Sequence, residues 1–123
     1  MSGGAEARLL GKWGESLVAE DLRRKGWHIV EVNHRCRHGE VDIIAANRSY
    51  LAFVEVKLRR NDHFGQPREF VTGEKQRKLR AAAELYLSEH PTRLQPRFDV
   101  AEVFAPRGLQ TVHPEITYIE NAF

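Results

Sequence analysis

One cysteine, one methionine and five prolines in 123 residues rule out several architectures before any motif is read. The lone Cys36 cannot close an intramolecular disulfide, so the fold has to be held by an ordinary hydrophobic core. Unbroken apolar runs stop at about four residues, as in Leu51 to Val54, far short of the ~20 that a membrane-spanning helix needs. With a mean hydropathy of -0.52 and no hydrophobic leader after Met1, the expected location is the reducing cytoplasm, away from membranes. There is no internal repeat, and the only low-complexity stretch is the Ser2-Gly3-Gly4 opening, expected to be frayed. A chain of this length suits a single domain over 1–123, which buries roughly two-thirds of its unfolded surface.

Charge is present in slight excess over the usual ~25% of residues, at 29%, yet nineteen basic against seventeen acidic residues leave only +2. Its distribution says more than its sum. Lys57 to Arg80 holds eight basic and three acidic residues, a local +5 set against -3 for the rest of the chain. A polyanion-binding patch has this form, and so does an ordinary solvated helix face.

Apolar residues at helical spacing (Leu10, Trp13, Leu17, Val18, Leu22) predict a helix from about Ala5 to Lys25, stopped by Gly26. Residues 27–33 read as a strand followed by a polar break, and 40–46 with 51–57 as a hairpin turning at Asn47 to Tyr50. Residues 58–71, with Gly65 and Pro67, form a connector well beyond the median of ~4 to 6 residues, a length usually kept for function. Thr72 caps a second helix whose stripe is Leu79, Ala82, Ala83, Tyr86 and Leu87, ended by Pro91, and strands follow at 98–104 and 115–120. The order αβββαββ implies an α/β fold with a mixed sheet.

A symmetric turn pairs hairpin residues whose numbers add to 97. Asp42 then opposes Glu55, Glu40 opposes Lys57, and strand alternation puts all four on the sheet face that carries Ile44, Leu51 and Phe53. Val41, Ile43, Ala45, Ala52, Val54 and Val56 are expected on the other face. Directly opposed carboxylates repel and gain nothing unless a cation or a proton sits between them. A divalent ion, Mg²⁺ or Mn²⁺, suits an all-oxygen donor set such as Asp42 and Glu55, and Lys57 beside it suits phosphodiester chemistry. The purely structural alternative, a surface Glu40–Lys57 ion pair with Asp42 and Glu55 in solvent, leaves the opposed acids unexplained.

Glu15 lies at the edge of the apolar stripe of helix one, from which it can reach the end of the sheet. Arg59, Arg60, Lys75, Arg77 and Lys78, beyond Lys57, are candidate phosphate contacts, and Gln76 joins them from the first turn of helix two. His34, Cys36 and His38 alternate but lack a fourth zinc ligand, and with Arg35 and Arg37 they read as a basic lip. Asp99, among apolar strand residues, reads as a hydrogen-bonded structural acid.

The run Gly39-Glu40-Val41-Asp42-Ile43-Ile44, with Glu55-Val56-Lys57 following twelve intervening residues after Asp42, resembles the motif of the PD-(D/E)xK nuclease superfamily. Gly14-Glu15, Phe64-Gly65, Lys75-Gln76-Arg77, Arg97-Phe98-Asp99-Val100 and Asn121-Ala122-Phe123 extend the resemblance, from about Gly11 to the end, to the bacterial UPF0102 family. The resemblance implies a restriction-endonuclease-like three-layer fold, Asp42 and Glu55 as metal ligands, Lys57 as the catalytic lysine, and Glu15 as a further acidic member; Glu40, from the hairpin register, joins Lys57 and Glu15 as a candidate catalytic residue. The metal-site spacing is also similar to that of archaeal Holliday-junction resolvases. Two departures stand out: Gln76 is followed four residues later by Arg80 where related nucleases often carry Tyr, and Asp21 stands where relatives often have an aromatic residue.

The reading that follows is a Mg²⁺- or Mn²⁺-dependent endonuclease hydrolysing phosphodiester bonds in nucleic acid, DNA rather than RNA. Branched, nicked or end structures suit a domain too small to read a long base sequence, and a homodimer suits cutting of both strands. The alternative is a nucleic-acid-binding module of the same fold with little cleavage. A structural adaptor ranks third.

Overall fold

The first helix is built by the spacing that announces it. In the computed structural model, which describes residues 3–60 and 71–123, α1 runs Gly3–Arg24 and buries Leu10, Val18, Ala19 and Leu22. It starts two residues earlier than its apolar stripe requires. It stops because Gly26 takes φ +94°, letting its N–H reach Arg23 O at 3.0 Å while the Trp27 N–H reaches Leu22 O at 2.9 Å, a glycine-terminated Schellman closure. Met1, Ser2 and the centre of the long connector, with Phe64, Gly65, Pro67 and Arg68, lie outside the described residues.

Five strands follow: β1 (His28–Cys36), β2 (Gly39–Ala46), β3 (Tyr50–Arg59), β4 (Gln95–Phe104) and β5 (Glu115–Ile119), with α2 (Gly73–Glu89) between β3 and β4. The sheet order is β1-β2-β3-β4-β5, antiparallel except for the parallel β3/β4 pair that α2 connects. Thr72 Oγ1 caps α2 by accepting from Lys75 N–H at 3.2 Å, and the helix ends just before Pro91. One core packs α2 through Leu79, Ala82, Ala83 and Tyr86 onto Val41, Ile44, Leu51, Phe53 and Val100. The other packs α1 through Val18, Ala19 and Leu22 onto Ile43, Ala45, Ala52, Val54, Ala101 and Val103. The molecule is thus a three-layer α/β arrangement in the expected αβββαββ order.

Three details differ from the sequence reading. β1 continues through Cys36 where a polar break was expected, because His34, Arg35 and Cys36 pair with Val41, Glu40 and Gly39. β4 begins at Gln95, three residues early. Val41 sits in the α2-side core with Ile44, whereas simple alternation puts it with Ile43. At the same place the β1/β2 ladder is interrupted: Asn33 and Asp42 do not pair, and Asn33 adopts φ +56°, a conformation asparagine tolerates better than most residues.

Two close approaches place the elements that matter. Gly14 is buried, and a Cβ there would meet Leu58 Cδ1 at 3.2 Å, so α1 lies tight on β3 and delivers the next residue, Glu15, to the sheet. On β4, the fully buried Asp99 accepts from Arg97 Nε at 3.0 Å and Nη2 at 2.9 Å, from Tyr118 Oη–H at 2.6 Å and from Asn121 N–H at 2.9 Å. It is the structural acid the sequence implied, and it ties β4 to β5 and the C-terminal turn. Removing it strands a buried guanidinium and two further donors, so Asp99→Ala is expected to lose about 3 kcal/mol or more in urea unfolding; a loss under ~1 kcal/mol would contradict this role.

Candidate metal centre

The hairpin register agrees with the sequence: Ile43 pairs with Val54, Ile44 with Phe53, Ala45 with Ala52 and Ala46 with Leu51, each adding to 97. The β2/β3 ladder then ends, although both strands continue, β2 against β1 and β3 against β4. Asn47 N–H bonds Tyr50 O, and hydrogen-bonded pairs recur every second residue, so Val56 N–H is next due to meet the Val41 carbonyl. It donates instead to Asp42 Oδ2 at 2.8 Å. The strands fork at Asp42, with the aspartate carboxylate standing in for the missing strand.

Acids gather on both sides of this fork. Glu15, Glu40 and Asp42 each place a carboxylate oxygen within 4.8 Å of the other two. Glu55, only 3% exposed, faces Asp42 from β3. Burial, with the neighbouring Glu55 charge second, pushes the Asp42 carboxyl up to about 8 despite the Val56 N–H donation that opposes the shift. Burial also raises Glu15, against a hydrogen bond from Asn33. Glu15 Oε1 and Glu55 Oε1 are both buried without any hydrogen-bond donor. Glu15, Glu40 and Asp42, close enough to share an ion, form a hard, all-oxygen donor set that fits a divalent cation, and Glu55 borders it with an oxygen that has no hydrogen-bond partner among the described residues.

Bases reach the fork unevenly. Lys57 Nζ and Lys75 Nζ both lie 3.5 Å from Glu55 Oε2, so the half-exposed Lys75 reaches from α2 to the same carboxylate as Lys57. Arg77 and Lys78 stay exposed, and Lys78 pairs with Glu74 at 3.5 Å. Gln76 turns inward and donates from Nε2 to Val71 O at 3.0 Å, fastening the entry to α2. Arg59 Nε sits 3.0 Å from the buried Glu102, and the Arg60 guanidinium lies against Gly108. The sequence saw a basic segment, but the fold directs its members to different neighbours.

Glu40 is the clearest correction. It does not face Lys57; because β2 leaves β3 at the fork, Glu40 stays with its β1 partner Arg35, accepting from Nε at 2.7 Å, and joins Glu15 on the α1 side. The four charged residues therefore occupy both sides of a split sheet instead of one face. Asn33, whose bend and hydrogen bond position Glu15, was not singled out; only its position beside the strand break hinted at it. His34 Nδ1 meets Glu31 Oε2 at 2.8 Å and Cys36 packs into the α2-side core, so among the described residues the alternating His and Cys do not assemble a metal site.

Residues 14–103 match the uncharacterised protein family UPF0102. Among similar proteins, a UPF0102 protein of Syntrophomonas wolfei subsp. wolfei is 43% identical over 94% of this chain and 98% of its own length. One of Syntrophotalea carbinolica is 50% identical over 76% of this chain and 77% of its own. One of Rhodococcus opacus is 44% identical over 93% and 95%.

The raised Asp42 group makes a pH prediction. Its native value lies above that of the unfolded chain, so between the two the native state holds a proton that unfolding releases, and stability falls as pH rises through that window. In chelator, the melting temperature of the wild type is expected to drop from about pH 5 to 8, with a slope of up to about 1.4 kcal/mol per pH unit from this group. Asp42→Asn keeps an acceptor for Val56 N–H and should flatten the slope; an identical slope in both proteins would contradict the assignment.

Proposed function

Since the chain belongs to the uncharacterised protein family UPF0102, and since its sheet forks around four carboxylates, we propose that it is a divalent-metal-dependent nuclease of the PD-(D/E)xK type. The observation that carries this reading is the trio Glu15, Glu40 and Asp42, with carboxylate oxygens within 4.8 Å of one another, bordered by the buried Glu55 Oε1, which has no hydrogen-bond partner among the described residues. Asp42 and Glu55 would hold the ion, Mg²⁺ or Mn²⁺, with Glu15 and Glu40 completing its surroundings from the α1 side. When bound, it supplies Lewis-acid stabilisation of charge on a phosphodiester.

The chain's own groups do the rest. Lys57 and Lys75 neutralise Glu55 and offer ammonium groups where a non-bridging phosphate oxygen would lie, a fixed positive field that stabilises the extra charge of the transition state. The substrate is nucleic acid, DNA in preference to RNA, with branches or ends favoured because a domain of this size offers little surface for reading sequence, and a homodimer would suit paired cuts. The free Cys36 suits the cytoplasm. One observation favours the alternative of a binding module: two lysines already balance Glu55 without any ion.

Cleavage of duplex, flap and four-way-junction DNA in Mg²⁺ or Mn²⁺ separates the two. Asp42→Ala and Lys57→Ala are each expected to lower the rate about 10²-fold or more. Equal residual cutting by wild type and both variants would mark a contaminant and remove the nuclease reading. Binding by all three with cleavage by none would establish the module instead.

A further inference from the structure

The sequence places its basic patch beyond Lys57, but the structure builds a second one on the opposite side of the fork. A cleft of about 190 Å³ opens between α1 and β1, lined by Arg8, Lys12 and Glu15 from the helix and by Asn33, Arg35 and Glu40 from the strands. At ~30 Å³ per water, it admits a hydrated phosphate group. Arg8, Lys12 and Glu15 stand at i, i+4 and i+7, hence on one helix face, while Gly11 between them leaves open space where a side chain would project. The acids lie at the inner end, against Asp42. Arg8 and Lys12 are exposed and have no ion-pair partner within 4.0 Å among the described residues, the Lys12 charge acting on Glu15 only at longer range, and the Arg35 side chain is 82% exposed, anchored to Glu40 through Nε. Three cations converging on a cleft that leads into the acidic centre are the arrangement a polyanion needs and an isolated surface charge does not.

Resting on the nuclease reading, we infer that this α1/β1 cleft is the phosphate-holding wall for the strand to be cut, with Arg8, Lys12 and Arg35 contacting backbone phosphates next to the one at the fork. Arg8 lies about 10 Å along the helix axis from Glu15, so it contacts a neighbouring phosphate and not the reacting one. These are positioning residues. The nucleic acid crosses the fork between two basic walls, Lys57 with Lys75 on the α2 side and this triad on the α1 side.

The test is the salt dependence of binding of a fluorescein-labelled flap DNA, followed by anisotropy in Ca²⁺, with Arg8→Ala/Lys12→Ala beside the wild type. Losing two phosphate contacts lowers the slope of log K against log salt by about 2. In Mn²⁺ cleavage, KM rises with kcat unchanged. Arg8→Lys/Lys12→Arg retains the slope, and Arg23→Ala/Arg24→Ala, the same charge loss from the exposed far end of α1, leaves it unaltered. An unchanged slope in Arg8→Ala/Lys12→Ala, an equal loss in Arg23→Ala/Arg24→Ala, or no DNA binding by wild type would overturn the inference. If the slope falls as expected but wild type never cuts, the nuclease reading fails and the wall stands as part of a binding module.

Discussion

At the fork, the Val56 amide has lost its partner strand and the carboxylate of Asp42 receives it at 2.8 Å. An orphaned backbone donor is costly in a buried setting, so the strand split is tolerable only if some acceptor is supplied at that point. A carboxylate two atoms from the backbone does so while keeping its second oxygen for other use. The consequence is that a carboxyl group is held at a strand junction beside Glu55. Burial and the Glu55 charge raise its proton affinity, and either a proton or a cation relieves the repulsion between the two acids.

The surrounding fold meets that demand from two directions. From the α2 side come Lys57 and Lys75, both at 3.5 Å from one oxygen of Glu55 and neither at the other. From the α1 side comes Glu15, delivered by the close packing of Gly14 on Leu58 and held through Asn33. Lys57 and Lys75 both serve Glu55, and Glu40 is shared with Arg35, so among the described residues Glu15 and Asp42 have no basic partner within ion-pair distance. The orphaned oxygens suit a small hard cation, which would displace the proton that burial holds on Asp42. The flanking basic walls then extend the same electrostatics outward, since a metal and a polyanion are complementary to each other as well as to the protein.

Much of this was legible in the residues. The α1 stripe and its glycine stop, the hairpin register and the structural role of Asp99 all follow from periodicity and turn chemistry, which are local. The point at which the β2/β3 ladder ends is not local: the sequence of β2 alternates smoothly through Asp42, yet the ladder to β3 stops at Ile43 and Val41 joins the α2-side core. That is why Glu40 was assigned to Lys57 and found on Arg35. Arg59, a candidate phosphate contact by sequence, also has an ion-pair partner that the sequence does not announce, since Glu102 is far along the chain and reaches it through the parallel β3/β4 pairing. Arg8 and Lys12 lie outside the basic segment and drew no notice until α1 was seated on the sheet. Residue types announced the chemistry, but long-range pairing decided which of them share a site.

The central claim is that a divalent cation occupies the fork between Asp42 and Glu55. Anomalous diffraction from crystals soaked in Mn²⁺ tests it most directly. The account predicts a peak within coordinating distance of Asp42 and Glu55 that disappears in Asp42→Asn crystals. A fork with no peak, at Mn²⁺ concentrations that fill sites elsewhere on the molecule, would contradict it.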